Sequence, residues 1–266
     1  MATTISLVVP AAGLGARAAL NGNKILAPLG GQPLLWHTLR ALTEQISFSA
    51  RDEKYARIEA YFSLAELIVA ARDDERETIE AIWRDVESPL KFQIVRGGAT
   101  RQESVASAAR ACSADLIAVH DAARPLVPHE LLARVALAAS HHGAAIPALV
   151  ASDTVKRATC DNGENFIAET LSRETIYLAQ TPQIFRRAIF LHAIETAERD
   201  KFSATDCASL VERLRDESGK RLQRVALVEG DAQNFKVTFA ADLERAARVL
   251  CANELVSRAD ICHNGE

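Results

Sequence analysis

Apolar residues along this chain fall into short, dense runs separated by stretches of helical spacing. The first run, residues 5–9 (ISLVV), is rich in β-branched side chains. A run of that length and composition predicts a strand buried on both faces, as in a parallel sheet. The same pattern predicts strands over 67–71, 92–95, 116–119, 144–150 and 225–228, the fifth interrupted by Pro147. Between them the spacing turns helical, over 33–42, 78–83, 129–140 and 241–250, with Pro33 at a first helical position. Thr100 and Glu103 make a T-x-x-E capping box that opens a further helix running to 111. Alternating strands and helices predict an α/β fold whose mostly parallel sheet is covered on both faces. Such sheets bind ligands beyond the carboxyl ends of their strands. The loops after Val9, Val95 and Val119 are therefore where chemistry is expected.

Two stretches break the alternation. Residues 43–64 are polar, charged and weakly helical, which predicts a surface elaboration. Residues 152–177 are polar and contain Asp161-Asn162-Gly163, a strong turn signal. Val155-Lys156-Arg157 precedes that turn and Phe166-Ile167-Ala168 follows it, so a hairpin arm inserted in the main domain is expected. The residues after 250 are expected to be loosely held.

Composition narrows the partners. Of 266 residues 48% are apolar but only 5% aromatic, so Ala, Leu, Ile and Val must fill the core. The formal net charge of −4 argues against a general nucleic-acid binder, whose footprint would be basic. A local basic cluster is still enough to hold a phosphorylated small molecule. No run approaches the ~18 apolar residues of a membrane helix. The N-terminus lacks the basic n-region of a secretory signal. The five cysteines are scattered and form no C-x-x-C pair. Neither a disulfide framework nor a zinc site is expected, and a reducing cytosol is the natural compartment.

Three loops carry candidate chemistry. The first reads P-A-A-G-L-G-A-R from Pro10, with Lys24 in a second polar loop. Small residues let the backbone approach a ligand, and successive N–H groups can face phosphate oxygens. Arg17 and Lys24 add two positive charges suited to a triphosphate. Without the G-K-[ST] ending this is not a Walker loop. In the second loop, Gly97 and Gly98 would let a flat base lie on the backbone, and Ser104 could bond a pyrimidine edge. In the third, His120-Asp121-Ala122-Ala123-Arg124-Pro125, Asp121 stands where a Mg²⁺ contact is usual. Arg124 could grip a phosphate bidentately. Each loop alone also fits a bland reading: a glycine turn, a helix cap, an Asp–Arg pair.

In order, P-A-A-G-x-G-x-R, Lys24, G-G-x-x-R-x-x-S, H-D-A-A-R-P, D-T-V-K-R, T-P-Q and N-F-K-V-T resemble the 2-C-methyl-D-erythritol 4-phosphate cytidylyltransferase family. The resemblance covers about 7–250. It implies a Rossmann-like nucleotidyltransferase domain over 1–266, with an arm at about 152–177 that serves dimerisation. The implied reaction moves CMP from CTP to methylerythritol phosphate and releases pyrophosphate, with Mg²⁺, in a homodimer. Arg17 and Lys24 match the family's transition-state stabilisers. The backbone of Pro10, Ala11, Ala12, Gly13 and Gly15 matches its nucleotide contacts, and Gly98, Ala99, Ser104 and Ala122 its cytidine contacts. Asp121, Arg124 and Thr181 match acceptor contacts, and Lys236 a residue that positions the acceptor phosphate. Thr154 and Arg173 match arm residues that reach the neighbouring subunit's site. The chain departs from the family pattern at Ala16, at Asn23 and Ile25 around Lys24, and at Ala99. A ribitol-5-phosphate cytidylyltransferase would share most of these motifs and differ in the acceptor pocket.

Overall fold

Strand β1 (Thr3–Pro10) runs through the middle of the sheet, and every residue from Ile5 to Val9 is buried. The computed structural model describes residues 2–13, 23–44 and 62–263. Gly15 and Arg17, and most of the expected surface elaboration, lie outside the described residues. After β1 come β2 (Pro28–Leu29), β3 (Gln32–Pro33) and helix α1 (Leu34–Glu44). Then follow β4 (Phe62–Ala71), α2 (Arg76–Val86), β5 (Lys91–Arg96), α3 (Arg101–Ala111), β6 (Leu116–Val119) and α4 (His129–His142). The second half holds β7 (Ala144–Val150), β8 (Lys156–Asp161), β9 (Glu164–Thr170), β10 (Tyr177–Ala179) and β11 (Gln183–Arg186). Helices α5 (Arg187–Arg199) and α6 (Cys207–Glu212), strand β12 (Ala226–Glu229) and helix α7 (Ala240–His263) complete it.

The main sheet runs β5-β4-β1-β6-β11-β7, with β10 and β12 also paired to β7. β1 is parallel to both β4 and β6, and β4 to β5. β11 and β10 run antiparallel to their neighbours. Ala145 pairs with both Ile184 and Ala226, so β11 and β12 flank β7 on opposite sides. The order reverses at β1: the chain goes outward through β4 and β5 on one side, then crosses back to β6 on the other. That switch point opens a crevice at the carboxyl ends of β1 and β6.

Side-chain alternation divides the core. Ile5, Leu7 and Val9 point to one face with α1, α2 and α4, while Val8 points to the other with α3, α5 and α6. Leu67 and Val69 against Ile68, and Leu116 and Ala118 against Ile117, repeat the division. Phe185 and Phe190 stack at 4.5 Å on the second face. A third, smaller cluster packs α7 through Ala246 against Leu34, Ala123 and Val237, which fixes the C-terminal segment beside the third loop.

Differences from the sequence expectation have local causes. Pro33 ends β3 opposite Pro28, and the helix starts one residue later, where the Leu34 N–H donates to Ala27 O. Pro147 survives inside β7 because β10 and β11 break opposite it. There Gln180 O, the acceptor its N–H would have met, takes the Gln183 side-chain amide instead (3.4 Å). Phe62 and Leu64, expected in a surface elaboration, belong to β4. The C-terminal helix does not stop near Leu250; its backbone continues to His263, as a stretch free of Gly and Pro allows. Helices α5 and α6 and strands β10 and β11 had no sequence expectation. The hairpin is present: β8 and β9 pair antiparallel, with Asn162 (φ 49°) and Gly163 (φ 85°) supplying the left-handed turn.

Candidate active site

The crevice holds a cavity of about 400 Å³ built from the three loops and the segment before α7. Backbone bonds hold each loop in register with the sheet. Ala11 N–H donates to Ala70 O (2.8 Å), Gly97 N–H to Ala71 O (2.7 Å), and His120 N–H to Val8 O (2.8 Å). Pro10, Ala11, Ala12 and Gly13 form one wall. Gly97 lies behind it, and a Cβ there would sit 2.4 Å from Ala12 Cβ. Glycine at 97 is thus required for β5 to approach the β1 loop.

Gly98, Ala99 and Ser104 line the cavity beside it. Thr100 Oγ1 accepts from Glu103 N–H (3.1 Å) and caps α3 as the T-x-x-E pattern predicts. The Glu103 carboxylate bonds Ala99 N–H (2.8 Å), one residue short of the usual reciprocal partner. Ser104 Oγ accepts from Gly98 N–H (3.1 Å) and donates to Thr100 O (2.9 Å). Its hydroxyl shapes the glycine loop.

Lys24 follows Asn23, a residue the sequence reading marked only as a departure. Asn23 Nδ2 donates to Ala11 O and to Glu75 Oε2, both at 3.0 Å, and its Oδ1 accepts from Ile25 N–H. It therefore fastens the lysine's short helical turn to the end of β1. Lys24 Nζ donates to Val237 O (2.9 Å).

Asp121 is the charged centre of the floor. Oδ1 accepts from Arg101 Nε (3.1 Å) and Nη2 (2.8 Å), and Oδ2 from Lys236 Nζ (2.9 Å). Arg124 Nε stands 3.7 Å from Oδ2. Burial alone would raise the Asp121 pKa; the cations Arg101, Lys236 and Arg124 outweigh it and hold the carboxyl far below its usual range. Among the described residues the cavity lining carries three cations, Lys24, Arg101 and Lys236, against one carboxylate. This is a local basic pocket in an acidic chain.

Behind the floor, Thr181 Oγ1 accepts from Asp121 N–H (3.1 Å) and faces His120 Nδ1 (3.1 Å). His120 Nε2 meets Arg124 O (3.0 Å). Burial pushes the His120 pKa down to about 4, so the ring is neutral at pH 7. Arg124 Nη1 donates to Asn234 O (2.5 Å), and Asn234 Nδ2 to Thr181 O (2.7 Å).

The structure therefore brings Pro10, Ala11, Ala12, Gly13, Lys24, Gly98, Ala99, Ser104, Asp121, Ala122 and Lys236 to one cavity. Arg124 and Thr181 do not line it; both are buried beneath its floor, where they brace Asp121. Thr154 and Arg173 lie exposed at the base of the hairpin and do not line it either; Arg173 bonds Ser152 O. Arg101 and Asn23 join the site without having been assigned a role. A cation in the first turn of a helix opening on an expected ligand loop was the available signal for Arg101.

Asp121 carries Arg101 on Oδ1 and Lys236 on Oδ2, so a divalent ion at this carboxylate would share it with those cations. Among the described residues no three of His, Cys, Asp or Glu gather to hold a metal.

A glycine-and-alanine backbone cradle at the switch point of a mostly parallel sheet, with lysines on two sides, is the arrangement of an α/β protein that binds a phosphorylated ligand. A family model for IspD, 2-C-methyl-D-erythritol 4-phosphate cytidylyltransferase, matches residues 52–252. The enzyme of that name from Acidobacterium capsulatum is 38% identical over 91% of this chain and 95% of its own. That from Rhodopirellula baltica is 37% identical over 96% and 99%. The crystal structure of the Thermus thermophilus enzyme, 35% identical, superposes with a TM-score of 0.68 over 94% of this chain and 98% of that one. The chain belongs to the 2-C-methyl-D-erythritol 4-phosphate cytidylyltransferase family.

Proposed function

We propose that this enzyme transfers CMP from CTP to 2-C-methyl-D-erythritol 4-phosphate. An oxygen of the acceptor phosphate attacks the α-phosphorus of CTP, and pyrophosphate leaves. The observation that carries the reading is the meeting of Lys24 and Lys236 at one cavity beside the Pro10–Gly13 backbone. The two reactants are anions, and the transition state gathers charge on the α-phosphoryl oxygens. Fixed cations and amides aimed at that charge supply the catalysis, together with positioning. The attacking phosphate is already ionised, so no general base is required. The neutral, buried His120 accordingly has no proton to move.

In this reading Lys24, with Arg17, stabilises the transferring phosphoryl group, and Lys236 holds the acceptor phosphate. Gly98, Ala99, Ser104 and Ala122 line the side expected to take the cytidine. Mg²⁺ would enter with the triphosphate oxygens rather than reside on the protein. A chelator should then abolish turnover without changing the melting temperature of the nucleotide-free enzyme.

The same reading makes the molecule a cytoplasmic homodimer joined through the arm. The hairpin exposes Phe166 and Ile167, and β7 and β10 expose Val150, Tyr177 and Leu178. That apolar surface supports a partner arm lying across it. Among the described residues no helix is long and apolar enough to cross a membrane.

Pyrophosphate release tests the reading, with each of four nucleoside triphosphates and either methylerythritol phosphate or ribitol 5-phosphate. Release only with CTP and methylerythritol phosphate is expected. Preference for ribitol phosphate would keep the chemistry and move the acceptor.

A further inference from the structure

Arg101 stands in the cavity beside the acceptor-side lysine, yet the reaction described above gives it nothing to do. Its side chain is about one-third exposed, and its guanidinium places two N–H groups on one oxygen of Asp121. Lys236 sits on the other oxygen and is itself 41% exposed. A lone Asp–Lys pair would be close to neutral, and an incoming phosphate would have to compete with the carboxylate for the ammonium. A second cation on the same carboxylate changes that balance.

We propose that Arg101 is a positioning residue: by occupying Oδ1 of Asp121 it offsets the carboxylate charge, so that Oδ2 orients Lys236 without neutralising it toward a phosphate. The inference rests on the acceptor role of Lys236 proposed above. Of the other groups around Asp121, Arg124 adds to the offset from beneath the floor, with Nε 3.7 Å from Oδ2 and Nη1 donating to Asn234 O. His120 is buried and turned to Thr181 and Arg124 O. Cys207, 3.5 Å from Arg101 Nη1, is a buried thiol whose pKa burial raises.

The charge account has a signature that a merely structural role lacks. Arg101→Gln removes the offset, and Asp121→Asn in the same chain removes what needed offsetting. Two titrations read it: the KM values for both substrates in turnover, and the affinity for inorganic phosphate by calorimetry, which needs no turnover. Arg101→Gln should raise the acceptor KM and weaken phosphate binding roughly tenfold, the scale of one partly screened charge. The KM for CTP should stay within about threefold. The double variant Arg101→Gln, Asp121→Asn should recover most of the lost phosphate affinity. Arg101→Lys, which keeps the charge, should bind phosphate nearly as the parent does.

A rise in the KM for CTP alone would overturn the proposal, since Arg101 would then be touching the nucleotide. Additive losses in the double variant would overturn it as well. Should Arg101→Gln fail to fold, loss of phosphate binding in a normally melting Arg101→Lys variant would do the same. An enzyme without turnover would defeat the reaction assigned above, while phosphate calorimetry would still decide the role of Arg101.

Discussion

Single residues in this site divide into those that face the cavity and those that brace it. Lys24 reaches Val237 O across the cleft and belongs to the first group. Lys24→Ala should lower kcat by roughly 100-fold or more, the usual cost of losing a transition-state cation or donor. Its circular dichroism should remain that of the parent, because Asn23 still fastens the turn to Ala11 O. Gly97 belongs to the second group. In Gly97→Ala the new Cβ meets Ala12 Cβ at 2.4 Å, and one loop must move. A loss of about 1–3 kcal/mol is expected from overpacking, measured by urea unfolding, with a raised KM for CTP as the loop shifts. At this scale the sequence was informative about residue type and less so about role. The lysines and glycines stood out because their motifs are local. That Arg124 and Thr181 brace the floor was not legible, because their partners Asn234 and His120 come from segments 110 and 61 residues away.

Most elements with a periodic signal were legible, but α5 was not, although its buried Phe190, Ala193, Ile194 and Ala197 keep helical spacing. Strands β6 and β7 match the expected spans, and the α3 cap forms through the expected threonine. Helices α5 and α6 escaped. Helix α5 begins directly after β11 with no capping side chain bonded to its N-terminus, so no start signal marks it. The hairpin was legible from the Asp161-Asn162-Gly163 turn and the short runs at 155–157 and 166–168 on either side of it. What it packs on was not. As part of the proposed dimer, the double variant Phe166→Ser, Ile167→Ser should sediment as a monomer at concentrations where the parent is dimeric. It should keep the parent's secondary structure, since both side chains are exposed in the single chain.

Acid acts on the whole molecule through buried groups: Asp121 in the site, and His120 and Glu66 at opposite ends of the sheet. Burial holds His120 near 4, below its ordinary 6.5. The unfolded chain therefore binds that proton first. Stability from this group is complete above pH 6.5 and is lost as pH falls toward 4. Glu66 lies at the other end. Burial would raise its pKa, but bonds from Ser113 N–H, Ser113 Oγ and Ser6 Oγ and the nearby Lys91 lower it from 4.5 to about 2. Its contribution is present above 4.5 and is lost as pH falls toward 2. Melting temperature should thus begin to fall below about pH 6.5 and fall further below about 4.5. In Glu66→Gln the second loss should be reduced to the part that Asp121 contributes, while the first remains. By itself the sequence determined the α/β alternation, the hairpin turn and the three loops that hold the chemistry, because each is written in neighbouring residues through strand and helix periodicity, turn stereochemistry and backbone permissiveness. Only the tertiary structure decided that Arg101, Lys236 and Arg124 gather around Asp121 and that Lys24 and Lys236 meet at one cavity. Those arrangements depend on charges brought together from distant segments at the point where the strand order reverses.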